Sequence, residues 1–157
     1  MLIFDAHTHT LKKKSVVNIN LIDENFYDHV DYFSIGVHPW SLKRKFNIEK
    51  MIESVNSIIE DERLLAVGET GLDRLTPHFE AQKKLFKQHV LIANKLKRPL
   101  IIHCVKSQNE VLRILKESSF QNKMMIHGFN GSKEEAFELI KLGHFIGVGP
   151  QIFTKMK

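Results

Sequence analysis

Histidine and glutamate recur at five places where a short apolar run stops: Asp5-Ala6-His7-Thr8-His9, Gly36-Val37-His38-Pro39-Trp40, Gly68-Glu69-Thr70-Gly71-Leu72-Asp73, Ile101-Ile102-His103-Cys104 and Ile126-His127-Gly128-Phe129. Neutral imidazole is a common ligand for divalent cations. In an extended chain, residues two apart point to the same side, so His7 and His9 can grip one ion from one face. Taken singly, each position has an ordinary explanation. A histidine at a strand end is commonly a hydrogen-bonded structural residue, and Glu69 could cap the next segment. The coincidence of all five changes the weighing and favours a divalent-metal site where these strand ends meet. A buried carboxylate directly after Ala66-Val67-Gly68 is costly unless a cation or other partners compensate it.

For these residues to meet, the elements before them must end at one edge. The apolar runs cover residues 2–4, 32–37, 64–67, 100–102, 124–126 and 145–148. They are short, often β-branched and continuous, the pattern of parallel strands covered on both faces. Between them lie helical patterns. In residues 48–59 apolar side chains recur at three- and four-residue steps, and residues 23–30 form a weaker helical stretch. Thr76-Pro77 predicts a cap and first turn ahead of Phe79, Phe86, Val90 and Ala93. Ser107 with Glu110, and Ser132 with Glu135, predict capping boxes ahead of Val111, Leu112 and Leu115 and of Phe137 and Ile140, with Gly143 ending the last helix. Six strands alternating with five helices imply a parallel α/β sheet, either doubly wound or closing as a (β/α) barrel. The pattern alone does not separate these. Convergence of five strand ends on one mouth favours the barrel.

A chain of 157 residues suits a single domain, here residues 1–157. No apolar run is long enough to span a membrane, and the start MLIFDAHTH lacks a signal-peptide pattern, so a cytoplasmic location is expected. Cys104 is the only cysteine and is read as a small buried hydrophobe facing away from His103. The net charge of +5 suits a polyanionic partner such as nucleic acid, although a lysine-rich solvated surface gives the same figure. Cations follow the strands at Lys12-Lys13-Lys14, Lys43-Arg44-Lys45, Arg74, Lys106, Lys133 and Lys155, which on a barrel would ring the mouth and attract phosphodiesters. Arg74 and Lys106 are therefore candidate substrate contacts.

The motifs DAHTHT, GVHPW, AVGETGLD, the segment with Gln82, Phe86 and Gln88 before RPLIIHC, and IHGFNGS followed by GHFIGVGP together resemble the TatD family of metal-dependent deoxyribonucleases and related hydrolases. The resemblance runs over essentially the whole chain. It implies a TIM-barrel-like fold and two divalent ions, drawn from Mg, Mn or Zn. His7 and His9 would hold one ion, His103 and His127 the other, and Glu69 would bridge both. It further implies cleavage of phosphodiester bonds, with DNA as the expected substrate. Glu69 would act in catalysis, as would His38, which could also contact a substrate phosphate. The opening also resembles that of PHP-type phosphoesterases, whose later motifs differ. An amidohydrolase acting on C–N bonds ranks lower, because His103 stands where many of those enzymes carry lysine.

Relative to the family pattern the chain reads as C-terminally truncated, with about six of eight β/α units. The family's later Thr-Asp aspartate, which ligates the first ion, has no counterpart, and Asp73 belongs to GETGLD instead. A metal-binding protein with little or no turnover is therefore the alternative expectation. Self-association through the open edges of the first and sixth strands is expected with it.

Overall fold

The computed structural model describes residues 4–11, 13–21, 29–43, 49 and 60–149. Seven strands form one sheet: β1 (Asp5–Thr8), β2 (Ser15–Asn20), β3 (Tyr32–Gly36), β4 (Leu64–Asp73), β5 (Leu100–Val105), β6 (Met124–His127) and β7 (Phe145–Ile146). The helices are α1 (Phe79–Leu96), α2 (Gln108–Glu117) and α3 (Lys133–Lys141), and Pro39–Lys43 makes a 3-10 turn after β3. Every neighbouring pair is parallel and the strands lie in chain order, β1 to β7. A doubly wound sheet would reverse its order at a switch point. This one never does, which is the order of a (β/α) barrel wall.

The first described strand is the DAHT motif itself; of the run expected at 2–4, residues 2 and 3 lie outside the described residues. The strand β2 is an addition to the six expected, so seven strands rather than six are present among the described residues. Only residues 9–14 link β1 to β2, too few for a crossover helix. The helical stretches expected at 23–30 and 48–59 lie almost entirely outside the described residues.

Side-chain alternation divides the sheet into two faces. The outer face of β4, β5 and β6 supplies Val67, Leu100, Ile102, Met124 and Ile126, which pack against Phe86, Val90 and Ala93 of α1, Val111, Ile114 and Leu115 of α2 and Leu139 of α3. Phe86 is completely buried here, and truncating such a ring typically costs about 3–5 kcal/mol. The inner face carries a smaller cluster of Val16, Ala66 and Ile101, with Met125 against it. His103 and His127 are two residues beyond Ile101 and Met125, so they belong to the same inner face, higher up the wall.

The caps differ from one another. Ser132 and Glu135 form the expected capping box on α3. Ser107 does not cap α2 with its side chain, because its hydroxyl donates to the Val105 carbonyl at 2.7 Å instead. Thr76-Pro77 precedes α1 without capping it; the cap residue is His78 in the left-handed region at φ 65°. On α3 the buried residue is Leu139, whereas Phe137 and Ile140, expected on the core side, are exposed.

Candidate metal centre

Glycine brings the acid to the histidines. In β4, Gly68 and Gly71 flank Glu69 at φ +130° and +145°, where a Cβ would stand 2.2 Å from the Ile101 carbonyl oxygen and 2.0 Å from that of His103. A side chain at either position would hold β4 away from β5. With glycine there, Gly71 pairs with His103 and His103 with His127 across adjacent strands. Glu69 is 1% exposed. Its amide donates to the side-chain oxygen of Asn18 on β2, and that oxygen also accepts from the Ser34 hydroxyl at 3.3 Å.

The two carboxylate oxygens of Glu69 face different imidazoles. Oε2 lies 3.0 Å from His7 Nε2 and 3.1 Å from His9 Nε2. Oε1 lies 3.1 Å from His103 Nδ1 and 3.5 Å from His38 Nε2. Two donor groups result, His7–His9–Glu69–His127 and His38–Glu69–His103, each with its ligand atoms within 4.8 Å of one another. The five residues expected to meet do meet, with Glu69 between two groups. The division among the histidines departs from the resemblance. His127 lies against His7 with ring centres 4.2 Å apart, and His38, not His127, accompanies His103 at 4.3 Å. Curling of the sheet turns the end of β6 toward β1, and the turn after β3 delivers His38 to His103.

This donor set fits cations. Glu69 Oε2 and His7 Nδ1 are buried with no hydrogen-bond partner among the described residues, although two imidazole nitrogens approach the oxygen. The Nε2 atoms of His7 and His9 stand 3.2 Å apart, a spacing that needs a proton or a cation near them. Burial pushes the Glu69 carboxyl up, but His103, His38, His7 and His9 together outweigh it and hold the group below the usual carboxylate range. The contact with Glu69 raises His9, whereas burial lowers His127. A shell of imidazoles with one shared carboxylate leans toward transition metals and zinc.

Asp73 has a role the sequence reading did not give it. Its Oδ2 accepts from the Trp40 indole N–H at 2.7 Å and lies 3.3 Å from His103 Nε2. With a cation beside Glu69, a proton on Nε2 shared with Asp73 would turn the Nδ1 lone pair of His103 toward that cation, the carboxylate–histidine arrangement that orients metal-ligating imidazoles. Burial pushes Asp73 up, but the hydrogen bonds from Trp40 and the Leu75 amide and the nearby His103 hold it below its ordinary value. Gln82 of α1 then fixes the turn, accepting from the Asp73 amide at 2.8 Å and donating to the carbonyls of Asp73, Thr76 and Pro77.

His89 of α1 is a second residue that sequence reasoning missed. Fully enclosed, it donates from Nδ1 to the Leu85 carbonyl at 2.9 Å and accepts at Nε2 from the amide of Val37 at 3.2 Å. It thereby anchors the chain one residue before His38. The tautomer follows from the two partners, one an acceptor and the other a donor.

The donor groups open into a cavity of about 760 Å³ lined by Leu11, Asn18, Asn20, Trp40 and Ser41 together with His9, His38, Glu69, His103 and His127. Arg74 and Lys106 are exposed near this mouth but are not among its lining residues. The Arg74 side chain donates to the Lys106 carbonyl and lies 4.4 Å over the Phe79 ring. Lys12, Arg44, Lys45, Lys155 and the side chain of Lys43 lie outside the described residues. Cys104 packs on the helix side of the sheet, and burial pushes its thiol up to about 11. No described helix is long and apolar enough to cross a membrane.

Several known proteins are similar to this chain. An uncharacterised metal-dependent hydrolase of Buchnera aphidicola is 29% identical over 148 residues, covering 85% of this chain and 56% of the relative. A relative from Encephalitozoon cuniculi, named as a deoxyribonuclease TATDN1 homolog, is 34% identical over 116 residues, covering 72% of this chain and 39% of its own length. The crystal structure of YjjV, a TatD homolog from Escherichia coli, superposes with a TM-score of 0.72 at 27% identity, over 88% of this chain and 57% of that one. The chain thus spans about half the length of the relatives it matches. The family described as TatD related DNase matches residues 4–157, and the chain belongs to that family.

Proposed function

We propose that this chain carries the metal centre of a hydrolase that cleaves phosphodiester bonds, with DNA as the substrate. The observation that carries the reading is the shared carboxylate. Glu69 is buried, its two oxygens face separate sets of imidazoles, and Oε2 has no hydrogen-bond partner among the described residues. His7, His9 and His127 with Glu69 would hold one divalent ion, and His38 and His103 with Glu69 the other. Such ions supply Lewis-acid polarisation of a phosphoryl oxygen and activation of water.

The chain's own groups do the remaining work. Glu69 stays ionised and keeps the two groups at fixed separation. Asp73 holds His103 in one tautomer, and the Val37–His89 hydrogen bond fixes the approach of His38. The polar wall of Asn18, Asn20 and Ser41 faces the space where a substrate would lie. Exposed cations at Arg74 and Lys106 would draw a polyanion toward the mouth, and their electrostatic pull would weaken with salt. The deoxyribonuclease name of the Encephalitozoon cuniculi relative supports DNA over other phosphodiesters.

The test is metal-dependent cleavage of single-stranded DNA and of bis-p-nitrophenyl phosphate by the full chain, with a chelator control and with Glu69→Gln. Turnover that needs metal and Glu69 supports the reading. Metal binding without cleavage of either substrate overturns it in favour of a metal-binding protein that does not turn over.

A further inference from the structure

Trp40 is the only tryptophan in the chain and stands at the rim of the metal centre, where it is 57% exposed. A large aromatic ring in that position would ordinarily fold down onto apolar neighbours. This one does not: it belongs to none of the hydrophobic clusters among the described residues. It is nevertheless held in place. Its indole N–H is bonded to Asp73 at 2.7 Å, and its ring meets His38 and His103 edge to face, with centres 4.9 Å and 5.7 Å away. The result is an oriented ring, largely open to solvent, bordering the cavity beside two candidate metal ligands. Across the same wall Asn20 donates to the Ser41 hydroxyl at 2.9 Å, placing polar groups next to the ring.

We infer that Trp40 is a stacking platform for a nucleobase of the bound strand. This rests on the phosphodiester reading above and names the part of the substrate that reading leaves open. Every nucleobase has a π-face, so stacking on an indole binds single strands with little sequence preference. The bond to Asp73 orients the ring before substrate arrives, so little side-chain freedom is lost on stacking. The same bond joins the platform to His103 through one carboxylate, which sets the stacked base at a fixed offset from the metal-ligating groups.

Because Trp40 is the sole tryptophan, its fluorescence reports the event directly. The full chain is titrated with a short single-stranded oligodeoxynucleotide and with an abasic oligomer of the same length, first in chelator and then with Mn²⁺. Fluorescence is followed alongside an independent binding signal from an end label. The expected result is a fluorescence change with the base-bearing strand and none with the abasic strand. In Trp40→Leu, affinity for the base-bearing strand should fall roughly 10-fold with the abasic strand unaffected, whereas Trp40→Phe, which keeps a ring, should retain most of the preference. If both strands bind equally well and leave the fluorescence alike, the platform is refuted while the phosphodiester reading stands. If neither strand binds in either condition, the phosphodiester reading fails and the platform with it.

Discussion

Replacing His89 with glutamine should remove an acid sensitivity that the fold has built around this residue. Burial pulls the imidazole down from its ordinary 6.5 to about 4, with the Leu85 carbonyl only partly opposing the shift. The fold therefore favours the neutral ring, whose Nε2 lone pair is needed to accept from Val37. As pH falls, the unfolded chain takes up the proton first. Stability from this group is complete above about pH 6.5 and declines as the pH falls toward 4, below which both states are protonated and the loss stops growing. The loss between about pH 7.5 and about pH 5 is about 2 kcal/mol, approaching about 3 kcal/mol at the acid limit. Glutamine supplies one donor and one acceptor but does not titrate. Urea unfolding of wild type and His89→Gln at both pH values isolates the term, because other titrating groups contribute equally to both proteins. The stability difference between the two should move by about 2 kcal/mol in favour of the variant on acidification. An unchanged difference would show that His89 is not held neutral by enclosure.

Other expectations address the metal centre and its frame. In calorimetric titrations with Zn²⁺ or Mn²⁺, Glu69→Ala should lose roughly 100-fold or more in affinity and should lose more than His127→Ala, since it serves both donor groups; equal losses would argue against a shared carboxylate. Gly71→Ala should cost at least about 2 kcal/mol in thermal or urea unfolding, because the added methyl meets the His103 carbonyl in a backbone region that disfavours side chains. Ser132→Ala should cost about 1 kcal/mol by removing the capping box of α3, and Glu135→Ala should cost less, since the Ser132 hydroxyl would still cap the helix; equal losses would show that the hydroxyl is not the main cap.

The residues that gather around Glu69 could be picked out in the sequence because each carries its chemistry in its own identity and each follows a short apolar run. The barrel order followed from the same coincidence. The strand β2 was hidden for two reasons. Its link to β1 is too short for a helix, so the strand–helix rhythm passes over it. Its run Ser15–Asn20 is also broken by Asn18 and Asn20, which alternate with Val17 and Ile19 and line the cavity. That alternation was the signal that could have found both the strand and the Asn18 brace. His89 lies three residues after Phe86 and four before Ala93, so the helix period places it on the buried face; its partner, the Val37 amide, comes from the end of β3, and no local pattern names it. The partition of imidazoles between the two oxygens of Glu69 depends on how far the sheet curls, which no spacing encodes. Asp73 lay inside a motif already noted, but its partners Trp40 and His103 come from two other segments.

The strands that carry the donors are not equally secured. The acid sits on β4, deep in the wall, with β3 and β5 on either side and the largest core behind it. His7 belongs to β1, four residues long and paired among the described residues with β2 alone, and His9 follows directly after it. Fraying of that margin would carry away two donors together and leave Glu69, His38 and His103 in place. A cation held by His7, His9 and Glu69 therefore acts as a clasp, tying the least protected strand to the most protected one. Its binding energy is then also local stability for β1, and its grip on the ion is weakened by whatever opens that margin. The two donor groups, though they share one carboxylate, should for that reason release their ions from sites of unequal durability.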